Sequence, residues 1–192
     1  TFNDICLMRY IKFVYEKDIE DIESVEKIDL SQRNLFNTLK GKFLEMVVQV
    51  TMMKFNHEKI DGSFFGKSGE IEVPEFQFVN TKIVKGVKTS QYQIDVYGQE
   101  LWRRDRVWIC ECKYTKTKMS IAQLEKLEEA KEALKQEEED KELSIPEVQM
   151  WLVSTGGFTQ ELLDYVRERK DIYYSDYEGI NEIFKAYGGN YK

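Results

Sequence analysis

Apolar residues recur every three or four positions from Leu35 through Leu39, Phe43, Met46, Val47 and Val50 to Met53, and this stripe predicts a long helix over about 32–56. Ahead of it, Ile5, Met8, Ile11 and Tyr15 keep a shorter helical spacing before a carboxylate-rich connector, so residues 1–31 read as an N-terminal helical extension or linker. The rhythm then changes. Glycines 62, 66 and 69 break the chain into a loop, Pro74 opens extended structure, and the stretches 75–84, 92–98 and 107–114 are expected to be three successive strands. Ile121, Leu124, Leu127, Ala130 and Leu134 line one side of a helix over about 120–140, with Ser120 as its N-cap and Pro146 beyond its exit. A fourth strand over 148–155, a turn at Gly156-Gly157, a helix capped by Thr159, a short strand at 171–176 and a last helix over 177–187 complete the order. A helix, a three-strand meander, then helix, strand, helix, strand describes an α/β domain over 32–192 whose mixed central β-sheet is flanked by helices.

Two of these strands carry charge where a strand ordinarily keeps apolar side chains. Asp95 lies between Ile94 and Val96, and Glu111 and Lys113 interrupt the run Val107-Trp108-Ile109-Cys110, which otherwise reads as buried on both sides. Side chains two apart share a face, so Glu111 and Lys113 project with Val107 and Ile109, while Trp108, Cys110, Cys112 and Tyr114 take the other side. Pairing of the two strands in a meander would let both carboxylates converge with an ammonium beside them. Adjacent carboxylates repel, and a hard divalent ion with oxygen ligands relieves that repulsion. Lys113 could then position a water acidified by the ion, which is the apparatus for attacking a phosphodiester. The plainer reading of Glu111 and Lys113 is a surface ion pair contributing about 0–1 kcal/mol. Glu45 falls next to the apolar stripe of its helix, where a Glu is ordinarily solvated, and His57 reads as a polar residue at a helix end. The loop around Gly62, Gly66 and Gly69 lacks the spacing of a phosphate-binding loop.

Composition changes this picture in three respects. No apolar run approaches the roughly 18–20 residues of a membrane span, so no membrane partner is expected. The net charge of −7 alone argues against a nucleic-acid binder, but its distribution is uneven: nine basic residues stand against four acidic ones over 82–118, and nine carboxylates against four lysines over 121–142. Three cysteines are an odd number, and Cys110 and Cys112 lack a second pair for a four-ligand zinc site. They read as reduced core thiols of an intracellular, cytoplasmic protein. Thr1 is not an initiator Met, which suggests a module of a larger protein.

The order of Glu45 in "GKFLEMVV", Asp95 in "QIDVYG", Glu111 and Lys113 in "ICECKY", and the later "WLVSTGGFTQE" resembles the PD-(D/E)xK nuclease superfamily over about residues 34–180, with Ile94 where the motif has Pro. The resemblance implies a restriction-endonuclease-like core. It implies Asp95 and Glu111 as ligands of Mg²⁺, for which Mn²⁺ substitutes, with the Cys112 carbonyl and waters completing the shell. Glu45 would reach the ion directly or through water, Lys113 would orient the nucleophilic water, and Gln123 would orient Lys113 or a phosphate. Lys116 and Lys118 would contact phosphates, followed by Arg103, Arg104 and Arg106. The expected function is a metal-dependent nuclease domain acting on DNA. The alternatives are a nuclease fold without chemistry that binds nucleic acid or protein, and a nuclease acting on RNA. The implied partners are nucleic acid, other domains of a parent protein, and a second copy of the chain as a homodimer.

Overall fold

β-Branched and aromatic residues concentrate in the middle of the chain, and there the computed structural model forms its sheet; it describes residues 30–86, 90–103, 105–141, 144 and 146–188. The chain divides into two units, Thr1–Thr38 and Leu39–Lys192. Of the first, only the opening turns of helix α1 (Leu30–Met52) are described, so the expected extension over 1–31 falls almost wholly outside the described residues. The second unit carries β1 (Lys59–Asp61), β2 (Glu70–Glu72), β3 (Phe76–Lys85), β4 (Gln91–Glu100), β5 (Arg106–Lys113), α2 (Ile121–Asp140), β6 (Glu147–Ser154), α3 (Gln160–Val166), β7 (Ile172–Ser175) and α4 (Tyr177–Gly188). Five strands lie in the order β3-β4-β5-β6-β7. The first three pair antiparallel and the last three parallel, with α2 crossing between β5 and β6. This is the mixed α/β arrangement that the sequence pattern predicts.

β5 is the central strand, and the burial of Val107, Trp108, Ile109 and Cys110 follows from that place. Val107 and Ile109 face Leu124, Leu127, Ala130 and Leu134 of α2 in one core cluster. On the opposite face the Cys110 thiol lies 3.7 Å from the Met52 sulfur of α1, and Trp108 stacks on Tyr173 with ring centroids 4.7 Å apart. A strand covered on both sides reads as a continuous apolar run, which makes the charges at its end conspicuous.

Two local expectations are corrected. α1 stops at Met52, four residues short of the predicted end. Lys54 and Phe55 donate to the carbonyls of Thr51 and Met52, three residues back, and tighten the final turn. Phe55 can then swing into the core beside Phe65, Phe76 and Trp151, where it is 2% exposed. Burial of one aromatic ring outweighs continuation of the helix. His57 follows in a left-handed conformation (φ 64°), an uncommon one for a non-glycine residue, with Nδ1 3.2 Å from Glu72 Oε1. The glycine loop carries more structure than expected: β1 and β2 pair around a short 3-10 helix, Gly62–Phe65. Gly66 ends it at φ 65°, and a Cβ there would lie 2.2 Å from the Tyr174 ring. Among the described residues no helix is long and apolar enough to cross a membrane.

Candidate active site

The site begins with a fault in the sheet. Asn80 faces Tyr97 and Lys82 faces Ile94, so two steps on β3 oppose three on β4, and a bulge falls at Asp95 and Val96. Its consequence is that Ile94 and Tyr97, three apart, both face the α2 side of the core. Strict alternation fails at the position where the acid sits. Thr81 lies opposite the bulge and pins it: its hydroxyl donates to the Asp95 carbonyl at 3.1 Å and accepts from the Gln49 amide of α1 at 3.3 Å.

On its other edge, β4 pairs with β5 from Gln99↔Val107 to Val96↔Cys110 and no further. The strands part there, and the Cys112 N–H points into the gap. A buried N–H left without an acceptor is costly, and Asp95 Oδ2 accepts it at 2.9 Å. The Asp95 carboxylate is thereby held in the opening between the strands, beside the continuation of β5 that carries Glu111 and Lys113.

Electrostatics ties these groups together. Burial pushes the Asp95 carboxyl up; the Cys112 N–H pulls it down, Glu45 pushes it further up, and Lys42 and Lys113 draw it back. Glu111 is pushed up to about 7, first by burial and then by the Asp95 charge, with Lys113 and Lys126 opposing. Glu111 also borders a cleft of about 340 Å³ that includes Gln91, Gln93 and Lys126 on its walls. From α1, Glu45 joins the cluster with its side chain only 12% exposed, and Lys42 Nζ holds both its oxygens, at 3.0 and 2.7 Å. The structure therefore sets Glu45 and Lys113 near enough to act on the charges of Asp95 and Glu111. It adds Lys42, which the sequence reading missed; a Lys three residues before a Glu is so common on helices that nothing singled it out.

The remaining candidates separate. Lys116 and Lys118 are exposed on the segment that leaves β5 just past Lys113. That segment is tied to the end of β6: Thr115 N–H donates to Thr155 Oγ1 at 3.0 Å, and Thr155 Oγ1 donates back to the Thr115 carbonyl at 3.1 Å. Gly156 lies beneath it, where a Cβ would come within 2.5 Å of the Thr115 and Thr117 carbonyls. Gln123 has a structural task. Its Oε1 accepts from the Ser120 N–H and hydroxyl, both at 2.8 Å, and caps α2.

Arg103 does not join the cluster. It lies at the turn before β5, a strand that at about 3.3 Å per residue puts roughly 23 Å between Arg106 and Lys113. There it pairs with Glu147 at 3.1 Å, while Arg106 approaches the buried Glu100 at 3.4 Å. The basic middle of the sequence is thus split between two ends of the sheet. Arg104 lies outside the described residues.

Among the described residues no three His, Cys, Asp or Glu side chains are grouped so as to hold a metal ion. Burial pushes the Cys110 and Cys112 thiols well up. Mg²⁺ keeps several waters and takes one or two carboxylates, and Asp95 and Glu111 supply that many hard oxygens with Glu45 nearby. Burial pushes both carboxyls up, and the Asp95 charge adds to the push on Glu111, an imbalance that a divalent ion would relieve. No family model, curated protein or solved structure matches the chain.

Proposed function

We propose that this domain is a divalent-metal-dependent nuclease that hydrolyses phosphodiester bonds of DNA, with Mg²⁺ as its cofactor and Mn²⁺ able to replace it. The observation that carries the reading is the bulge at Asp95 beside the parting of β4 from β5. Asp95 has a structural return there, the Cys112 N–H it accepts, but Glu111 beside it costs stability, because burial and the Asp95 charge both push its carboxyl up. The order of the motifs in the chain supports the same reading.

A bound divalent ion would polarise the phosphate and acidify a water in this site. Asp95 and Glu111 would hold it, and Glu45 would reach it directly or through water. Lys113, exposed at the end of β5, has the reach to orient the attacking water or a phosphate oxygen. The tied segment after β5 presents Lys116 and Lys118 to the phosphates that follow. The acidic face of α2 is unsuited to a polyanion, so the nucleic acid approaches from the side of these lysines.

The decisive experiment is cleavage of circular and linear DNA with Mg²⁺, with Mn²⁺, and with EDTA. Cutting with either ion and none with EDTA is expected. One observation favours a second reading, a nuclease fold that binds without cutting: both oxygens of Glu45 are taken by Lys42. Intact protein that neither takes up Mn²⁺ nor cuts DNA or RNA would establish that reading instead.

Binding can be tested apart from chemistry. Each phosphate that the protein ceases to neutralise takes about 0.9 from the slope of log affinity against log salt on duplex DNA. Lys116→Ala and Lys118→Ala together are expected to flatten that slope by up to about 1.8. Arg103→Ala, at the far end of the sheet, leaves it unchanged. Fluorescence anisotropy across a salt series reads both; an unchanged slope in the double variant moves the binding surface elsewhere.

A further inference from the structure

Glu45 and Lys42 form an unequal pair. The Glu45 side chain is 12% exposed and the Lys42 side chain 57%. Glu45 is fixed by its helix, because its neighbours Leu44 and Val48 are fully buried. Lys42 is a compact charge on a flexible four-carbon stem that opens to solvent. One ammonium holds both carboxylate oxygens and so occupies the edge through which Glu45 would chelate a cation. The same ammonium is near enough to act on Asp95 and on Cys112, inside the cluster.

We infer that Lys42 is an internal counter-ion, seated on Glu45 in the ion-free protein and displaced toward solvent when a divalent cation enters, so that it sets the affinity of the site for the cation. The inference rests on the nuclease reading of the same carboxylates. The fixed partner is the acid and the movable one is the base, which is the arrangement displacement requires. Retention of Lys42 beside an entering divalent ion would set two cations against each other across one carboxylate. Pairing in the ion-free state also offsets repulsion among Glu45, Asp95 and Glu111 from the α1 side. Exposed ion pairs of this kind contribute little, so the effect is a modest adjustment of affinity, on the order of three- to tenfold.

Calorimetric titration of the ion-free protein with Mn²⁺ tests it. Lys42→Met keeps the stem and removes the charge, and is expected to bind Mn²⁺ about three- to tenfold more tightly than wild type. Lys42→Arg keeps a cation on Glu45 and is expected to stay near wild type. In a Glu45→Gln background Lys42 has no carboxylate to hold, so adding Lys42→Met is expected to give less tightening than it does alone. Unchanged affinity in Lys42→Met overturns the inference, and weaker affinity makes Lys42 a residue that positions Glu45. Absence of Mn²⁺ uptake by both wild type and Lys42→Met overturns the inference and the metal-dependent nuclease reading together, whereas uptake without tightening overturns the inference alone.

Discussion

Asp95→Asn is expected to abolish Mn²⁺ binding and DNA cleavage together while leaving the fold intact. The amide oxygen of Asn can still accept the Cys112 N–H that Asp95 Oδ2 now accepts at 2.9 Å, so the parted strands keep their closure. What disappears is the charge. Asp95→Ala is the harsher change, because an orphaned buried N–H costs about 1–3 kcal/mol and mixes a folding defect with the chemical one. Lys113→Ala completes the contrast. It removes an ammonium but no proposed ligand, so Mn²⁺ still binds, and cleavage slows at least ~10²-fold, the lower end of what a positioned acid–base group contributes. Calorimetry with Mn²⁺ beside a cleavage time course, on protein checked by circular dichroism, separates the three variants. An Asp95→Asn protein that cuts as fast as wild type would remove Asp95 from the mechanism.

The sequence carries the fold because its strongest patterns belong to the best-buried elements. The run Val107–Cys110 announces a strand covered on both faces, and the stripe Leu124, Leu127, Ala130 and Leu134 announces the helix that covers it. Charges inside such elements are legible for the same reason, as departures from a clear expectation. Features set by contacts distant in the chain are not legible. Nothing in "QIDVYG" reveals the bulge, since an extra residue in β4 shows only when β3 lies beside it. The early end of α1 is settled by Phe55 finding Phe65 and Trp151, which come 10 and 96 residues later. Gln123 stands three residues after Ser120, the spacing of a helix cap, and its Oε1 makes that cap. Arg103 and Lys116 are close in sequence, but the length of β5 sends them to opposite ends of the sheet.

Glu111→Gln is expected to stabilise the ion-free protein above neutral pH while abolishing its activity. The Glu111 carboxyl is pushed up to about 7 in the folded protein, whereas in the unfolded chain it titrates near the ordinary value of 4.5. Below that ordinary value both states are protonated, and the group imposes no penalty. As the pH rises toward 7 the unfolded chain releases its proton first, so the unfolded state is favoured and stability falls. Above about 7 the deficit is complete, at about 3 kcal/mol for a shift of this size. Gln, uncharged at every pH, never incurs it. The variant and wild type should therefore melt together near pH 4.5 and diverge by roughly 6–12 °C at pH 8, with the variant higher. The same proton competes with the ion: wild-type affinity for Mn²⁺ should weaken by up to about tenfold per pH unit below 7, because a ligand must lose its proton to bind. Saturating Mn²⁺ should narrow the pH 8 gap by raising only the wild type, since a ligand that binds the native state stabilises it by mass action. Thermal melts of both proteins from pH 4.5 to 8.5, with and without Mn²⁺, read all of this. Parallel melting curves across that range would mean that Glu111 is an ordinary solvated carboxylate, and the second carboxylate of the proposed site would be lost with it.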